Sequence, residues 1–251
     1  MTSISVVIPA LNDAAMLTEC LAALAVQSRP ADEIIVVDNG STDATAAVAR
    51  AGGARVVDEP TPGIFPATAA GFDAAVGDIL ARLDADSVPP ADWLARVEAT
   101  MTGTDVTALT GPGEFYGGSK FTHWFGRTFY IGGYFWFMTL MLGHAPLFGS
   151  NLALRADAWQ RMRGIVHRDR RDVHDDLDIA FHLQPGMTVR YDPTLRVGIS
   201  SRPFGSWSGF ARRIRWAFGT LALNWREEGP LERRARRREY AADEDAQAAR
   251  A

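Results

Sequence analysis

Apolar and polar positions follow two rhythms along the first hundred residues. Short apolar runs at Ile4–Ile8, Glu33–Val37, Arg55–Val57 and Ile79–Leu83 read as strands, the first stopping at Pro9. Between them apolar residues recur three or four apart, as Leu17, Leu21 and Leu24 do within Ala14–Gln27. That spacing predicts helices over Ala14–Gln27, from Ser41 as N-cap to about Ala51, over Phe65–Val76, and over Pro90–Met101 with proline in its first turn. Strands alternating with helices of this length predict an α/β fold: a mostly parallel central sheet, helices on both faces, right-handed crossovers. Such sheets bind ligands beyond the carboxyl ends of their strands, so the residues just after each strand carry the first candidate chemistry.

The second half is less regular. Strand-like Leu147–Leu154, Val189–Tyr191 and Arg196–Ile199 are interleaved with helical patterns near Ala156–Met162, Asp175–Leu183 and Trp207–Arg226. Ahead of them, residues 121–142 are crowded with aromatics, including Phe121, Trp124, Phe125, Tyr130, Trp136 and Phe137. The most apolar part, Phe129–Leu142, holds Gly132 and Gly133. As a helix it would extend ~21 Å, short of the ~30 Å hydrocarbon core of a bilayer, so it is not expected to span one. It reads either as a core element or as an amphipathic segment in a membrane interface. The aromatic density, with Lys120 and Arg127 upstream, favours an interface or a lipid-acceptor groove. Past Gly229-Pro230 the chain is charged, basic at 233–238 and then acidic and alanine-rich, and is expected to be marginally ordered. Its arginines are either solvated or attracted to anionic lipid.

Composition narrows the class. The chain has 251 residues, 47% hydrophobic and 22% charged, a globular balance that excludes a wholly disordered or collagen-like protein. A net charge of -4 lacks the broad basic field of a general nucleic-acid binder. Cys20 is the single cysteine, so no internal disulfide or cysteine metal cluster can form, and a reducing compartment fits. The opening MTSISVVIPALND has no basic n-region or cleavable apolar stretch, and no secretory signal is expected.

Three acidic clusters fall at strand ends or helix starts. Asp38, in VVDNGSTD, either accepts hydrogen bonds from a ribose or base edge or, with Ser41, caps the next helix. Asp84 and Asp86 follow the fourth strand. Two apart in an extended segment, they project to one side and aim hard oxygen ligands at one point, which suits Mg²⁺ or Mn²⁺ shared with a diphosphate. A lone D-x-D is commonly a solvated turn, but this one sits directly after a buried strand, with Pro89-Pro90 opening the next helix. In VHDDLDIAFHL, Asp175, Asp176 and Asp178 occupy a first helical turn, where the helix dipole favours carboxylates. The functional reading makes one of the adjacent pair a general base, its pKa raised by its neighbour and by partial burial. His174 and His182 flank the cluster and are expected at its margin, His174 being able to approach the metal.

In this order, VVIPALN, VVDNGSTD, the small-residue stretch Gly63–Gly71, GDILARLDAD, FGSNLALRADAW, HDDLD and RRIRW resemble the family 2 glycosyltransferases of the GT-A fold, from about Ile4 to Phe218. The resemblance implies a domain over 1–226, with a nucleotide-binding half over 1–110 and an acceptor half over 111–226, followed by the tail 227–251. It implies that Ala10, Leu11 and Asp38 line the nucleoside site, that Asp84 meets the ribose or metal-bound diphosphate, and that Asp86 with Asp84 holds Mn²⁺ or Mg²⁺. It makes Asp176 the catalytic base, Asp175 standing where the family usually has glutamate, and puts Arg215 and Trp216 near the acceptor or the diphosphate. The implied reaction is inverting transfer from a nucleoside diphosphate sugar to a lipid-linked or saccharide acceptor. The implied setting is cytoplasmic, peripheral at the inner membrane face through 121–142 and 233–238, with no nucleic-acid partner.

Four positions depart from the family pattern: Asn39 for a second aspartate, Thr68-Ala69 for Arg-Asn, Leu11 for an aromatic, and Arg212 for the glutamine of Q-x-x-R-W. Two rivals remain. A nucleotidyltransferase of related fold would usually bring a glycine-rich basic loop near the N-terminus, which VVIPALND lacks; a non-catalytic nucleotide-binding module would bind without turnover. No G-x-G-x-x-G follows the first strand, so a dinucleotide oxidoreductase is poorly supported.

Overall fold

The computed structural model describes residues 2–117, 131–202 and 207–248. One sheet contains β1 (Ile4–Ala10), β2 (Glu33–Asp38), β3 (Arg55–Asp58), β4 (Ile79–Arg82), β5 (Val106–Thr110), β7 (Leu152–Arg155) and β8 (Thr188–Tyr191), in the order β3-β2-β1-β4-β7-β5-β8. A small parallel pair joins β6 (Gly113–Tyr116) to β9 (Val197–Ser200). The large sheet is mostly parallel, as the alternation predicts; β7 alone runs against its neighbours β4 and β5. Leu147–Leu154 reads as one strand in sequence, yet only its end is. Asn151 N–H donates back to Phe148 O at 2.7 Å, forming a turn before β7.

The strands' period of two sends alternate side chains to opposite faces, and both faces are covered. Val6, Ile8, Val36 and Ala81 pack against α1 (Ala14–Ala25), α2 (Thr45–Ala51) and α4 (Trp93–Met101) through Leu17, Leu21, Ala49, Trp93 and Val97. Val7, Ile35, Leu80 and Leu154 pack against α3 (Ile64–Ala74), α6 (Ala156–Met162) and α7 (Asp175–His182) through Phe65, Phe72, Trp159 and Ile179. The small residues of α3 let it lie close on the sheet: a Cβ at Gly71 would fall 2.3 Å from Val7 Cγ1 and 2.8 Å from Val37 Cγ2. The second helix starts later than its sequence suggests. Ser41 Oγ is taken by Asn12 N–H at 3.0 Å, and Asp43 Oδ1 accepts from Thr45 N–H at 2.9 Å where α2 begins.

β1 lies between β2 and β4, so the chain leaves it to both sides and opens a crevice beyond its carboxyl end. Residues 84–86 follow β4 at that crevice. Of the aromatic segment 121–142, residues 121–130 lie outside the described part. The remainder is α5 (Gly132–Leu142), which buries Phe135, Met138 and Leu142 and leaves Trp136 71% exposed beside partly exposed Phe137 and Leu140. Among the described residues no helix is long and apolar enough to cross a membrane.

The charged tail is ordered differently from the expectation. After α8 (Trp207–Asn224), residues Pro230–Ala248 form α9. Arg233 is buried and donates to Leu142 O, Ala180 O and Leu183 O at 3.2–3.3 Å, and to Glu228 at 3.1 Å. Arg236 pairs with Glu228 and Arg237 donates to Leu183 O, so much of the run 233–238 is turned onto the protein. Composition alone hides this, because these arginines serve as donors to helix-end carbonyls that have no intrahelical partner. Arg233→Met should lower the unfolding free energy by about 2–4 kcal/mol in urea titration, since it strips those buried carbonyls of their donor. Exposed Arg238→Met should change it by less than about 0.5 kcal/mol.

Candidate active site

A buried arginine organises the crevice. β4 reads Ile-Leu-Ala-Arg, and Arg82, paired across the sheet with Val7 and Leu152, is 2% exposed. Its Nη1 meets Asp84 Oδ1 at 2.9 Å and its Nη2 meets Asp175 Oδ2 at 3.1 Å. Asp175 opens α7, is itself buried, and accepts from Thr68 Oγ1 of α3 at 2.6 Å. Thr68 thus has a definite task where the family pattern has another residue. Arg82 and Thr68 converge on one oxygen of Asp175, while the adjacent Asp176 is half-buried.

Asp176 is fixed by Gly149 N–H to Oδ2 at 2.8 Å and Leu177 N–H to Oδ1 at 2.7 Å. Burial, then the adjacent charge of Asp175, raise its pKa above the usual carboxylate range. Gly149 lies between the two halves of the cluster: a Cβ there would fall 2.1 Å from Arg82 Nη1 and 3.2 Å from Asp176 Oδ2. Next in the chain, Ser150 Oγ donates to Asp84 Oδ2. Burial works against the Asp84 charge, but Arg82, Ser150 and the charge of Arg213 outweigh it and hold its pKa low. Asp86 is pushed the other way by burial and by Asp84. Its Oδ2 meets Arg202 Nη2 at 3.0 Å, while Arg202 Nη1 reaches Asp13 at 2.6 Å. Arg202 thus occupies one oxygen of Asp86, as Arg82 and Ser150 occupy those of Asp84; these are hard oxygen donors of the kind that a divalent ion takes, and an ion there would displace or share these partners.

Asp84, Asp86, Asp175 and Asp176 therefore belong to one cluster. Ala10 pairs with Asp38 at the carboxyl ends of β1 and β2, and Leu11 beyond them is 51% exposed. Asp38 Oδ1 accepts from Ser41 N–H at 2.9 Å, so one of its oxygens closes the turn. Asn39 donates to Glu59 O and Thr61 O and accepts from Gly63 N–H; an aspartate could not donate, which accounts for the amide. Arg215 is exposed on α8, and no described contact joins it to the carboxylates. Trp216 meets the His174 ring edge-on at 6.2 Å. His174 is the N-cap residue of α7, its Nε2 on Arg213 O at 2.9 Å and its N–H donating to Thr220 Oγ1 at 3.0 Å, so it ties α7 to α8. Asp178 and His182 turn away to a different cluster. Sequence reasoning missed Arg82, Gly149, Ser150, Arg202 and Arg213. The signal for Arg82 was present: a charge inside an otherwise apolar strand, two residues before Asp84. Arg202 carries no such mark.

The sequence profile described as Glycosyl transferase family 2 matches residues 5–161. Glycosyltransferase AglE of Haloferax volcanii is 36% identical over 120 residues, 45% of this chain and 40% of that protein. A PGL/p-HBAD biosynthesis glycosyltransferase of Mycobacterium bovis is 40% identical over 102 residues, 38% of this chain and 40% of that protein. The chain thus spans about 40% of the length of these relatives. Two solved structures share the fold. Glucosyl-3-phosphoglycerate synthase from Mycobacterium tuberculosis, in complex with Mn²⁺, UDP and glucosyl-3-phosphoglycerate, aligns with a TM-score of 0.62 at 23% identity, over 89% of this chain and 80% of that one. Mannosyltransferase PcManGT from Pyrobaculum calidifontis, in complex with GDP-Man and Mn²⁺, aligns with a TM-score of 0.63 at 20% identity, over 98% and 75%.

The cluster sets a stability test. Arg82→Met leaves Asp175 buried without its cation and should cost about 3–5 kcal/mol in chemical denaturation. Arg202→Met removes a half-exposed partner and should cost less than about 1 kcal/mol.

Proposed function

The chain belongs to glycosyl transferase family 2, and on that premise we propose that it is a metal-dependent, inverting transferase moving a sugar from a nucleoside diphosphate to an acceptor hydroxyl or lipid phosphate. The observation that carries this reading is a chain of contacts that joins Asp84 to Asp176: Arg82 pairs with Asp84, and Gly149, packed against the same guanidinium, donates its N–H to Asp176. The family membership and the Mn²⁺ and nucleotide complexes of the two fold neighbours support it.

Asp84 and Asp86 would hold the divalent cation, whose charge screens the diphosphate and the departing nucleoside diphosphate. Ser150 and Arg82 keep Asp84 ionised for that task. Asp176 accepts the proton of the incoming hydroxyl, its carboxylate oriented by Gly149 N–H and Leu177 N–H and made more basic by burial and by Asp175. Asp175 is a positioning residue, held by Arg82 and Thr68. A single in-line displacement needs one base and no covalent intermediate, a role that Asp176 alone would fill. Ala10, Leu11 and Asp38 flank the nucleoside, and Arg215 and Trp216 lie on the acceptor side. Exposed Trp136, Phe137 and Leu140 on α5 favour an apolar or lipid-linked acceptor met at a membrane surface.

Asp176→Asn should lower kcat by about 10²- to 10⁴-fold while donor binding stays near wild type; transfer close to wild type would remove the base. Because its pKa is raised, kcat/KM should fall with decreasing pH at values above the ordinary carboxylate range, as Asp176 takes up its proton. In a thermal-shift panel, UDP or GDP should raise the melting temperature with Mn²⁺ and much less without it. An equal rise without metal would point instead to a metal-independent nucleotide-binding module.

A further inference from the structure

The side of α7 that turns away from the carboxylates holds a second cluster, with no described hydrogen bond to the first. His167 comes from the segment between α6 and α7, His182 is the last residue of α7, and Glu227 lies just past α8. One ligand atom each from His167, Asp178 and His182 lies within 4.8 Å of the others. Asp178 is buried and fully engaged. Its Oδ1 meets His167 Nδ1 at 2.8 Å and accepts from Asn224 Nδ2 at 2.9 Å, and its Oδ2 accepts from His167 N–H at 3.0 Å.

These contacts fix both tautomers. His182 Nδ1 faces Asp178 O at 2.8 Å, and a carbonyl only accepts, so that nitrogen carries the hydrogen. His167 Nδ1 faces a carboxylate oxygen and carries its hydrogen for the same reason. In the neutral rings both Nε2 atoms are then lone pairs, and both face the Glu227 carboxylate, at 3.5 Å from Oε1 for His167 and 4.0 Å from Oε2 for His182. Lone pairs set against an anion are satisfied either by a proton or by a metal ion between them, and the two differ in whether the site retains a metal. Two donors about 2.0–2.1 Å from one tetrahedral ion lie roughly 3.3 Å apart; the 3.5 Å separation at His167 is close to this, and the 4.0 Å one at His182, to the other oxygen of Glu227, would have to shorten on binding. An imidazole held by a carboxylate through its other nitrogen is also the usual support of a metal ligand. A cavity of about 250 Å³ opens beside His182, Asn224 and Glu227, and the arginines that share its wall, Arg233 and Arg236, are paired with Glu228.

We propose that His167 Nε2, His182 Nε2 and Glu227 form a metal site separate from the transfer chemistry, suited by its nitrogen and oxygen donors to Zn²⁺, with Asp178 orienting the imidazoles. The bound ion ties three segments together: the connection before α7, the end of α7, and the turn between α8 and α9. The test uses untagged, full-length Asp86→Asn protein, which weakens the cation site proposed for the donor. One equivalent of Zn²⁺ should be retained through gel filtration and raise the melting temperature. Co²⁺ in its place should give the visible absorption of a low-coordinate imidazole-ligated ion. Asp178→Asn should weaken Zn²⁺ binding by about 10- to 100-fold, and Glu227→Gln, at a largely exposed side chain, by at least about tenfold. Absence of bound Zn²⁺, or affinity unchanged in Glu227→Gln and His182→Gln with the fold retained by circular dichroism, overturns the site and leaves protonated imidazoles facing Glu227. Loss of transfer activity has no bearing on either outcome.

Discussion

Arg82 is the constraint on which the site depends. A guanidinium at the end of a sheet strand, shut away from water, is tolerable only with carboxylates on it, and Asp84 and Asp175 supply them from the loop after β4 and from the start of α7. That single group therefore sets the distance between a strand tip and a helix that are far apart in sequence. It also dictates its surroundings. Residue 149 must lack a side chain, Thr68 donates to the same oxygen of Asp175 that meets Arg82, and Asp176 is left at the edge of the crevice with its two oxygens steered by backbone N–H groups.

What the sequence disclosed and what it withheld divide along the range of the interactions. The strands β1 to β4 and their helices were legible because burial on both faces leaves unbroken apolar runs, and because Leu17, Leu21 and Leu24 keep a helical beat. The acidic clusters were legible because strand and helix ends mark where side chains reach a crevice. β5 and β6 were missed: Val-Thr-Ala-Leu-Thr and Gly-Glu-Phe-Tyr are short, and their pairing partners lie far along the chain, at β7 and β8 for the one and at β9 for the other. The reversed β7 was equally hidden, since direction within a sheet is a property of the connections around it. The tail was misjudged for another reason. Composition counts Arg233 as a solvated charge, whereas three carbonyls at the ends of α5 and α7 consume its hydrogens.

Helix α7 does two jobs at opposite ends. Its first turn gathers Asp175 and Asp176 toward the crevice, and its last residue, His182, joins Asp178 and His167 behind it. A sequence reader meets one acidic stretch, HDDLD; in three dimensions it is two sets of carboxylates separated by the body of a helix. His174 and Asn224 then fasten this helix to α8, so the turn that carries Asp175 and Asp176 is braced by its neighbour.

The excursion from β5 to β7 has its own consequence. Its ends are stitched to each other: Gly111 N–H and Thr110 Oγ1 both donate to Asn151 O, and Phe148 N–H donates to Thr110 Oγ1. Beyond this neck the described part of the excursion is tied to the body again: β6 pairs with β9, and α5 sinks Met138 and Leu142 into the core. Length is therefore cheap to change only where the chain makes no such ties, each doubling of a flexible loop adding about 0.6 kcal/mol of closure entropy. Neck and flanks together make the excursion part of the frame, so a chimaera joined at Gly111 and Phe148 would have to bring its own partner for β9 and its own filling for the core.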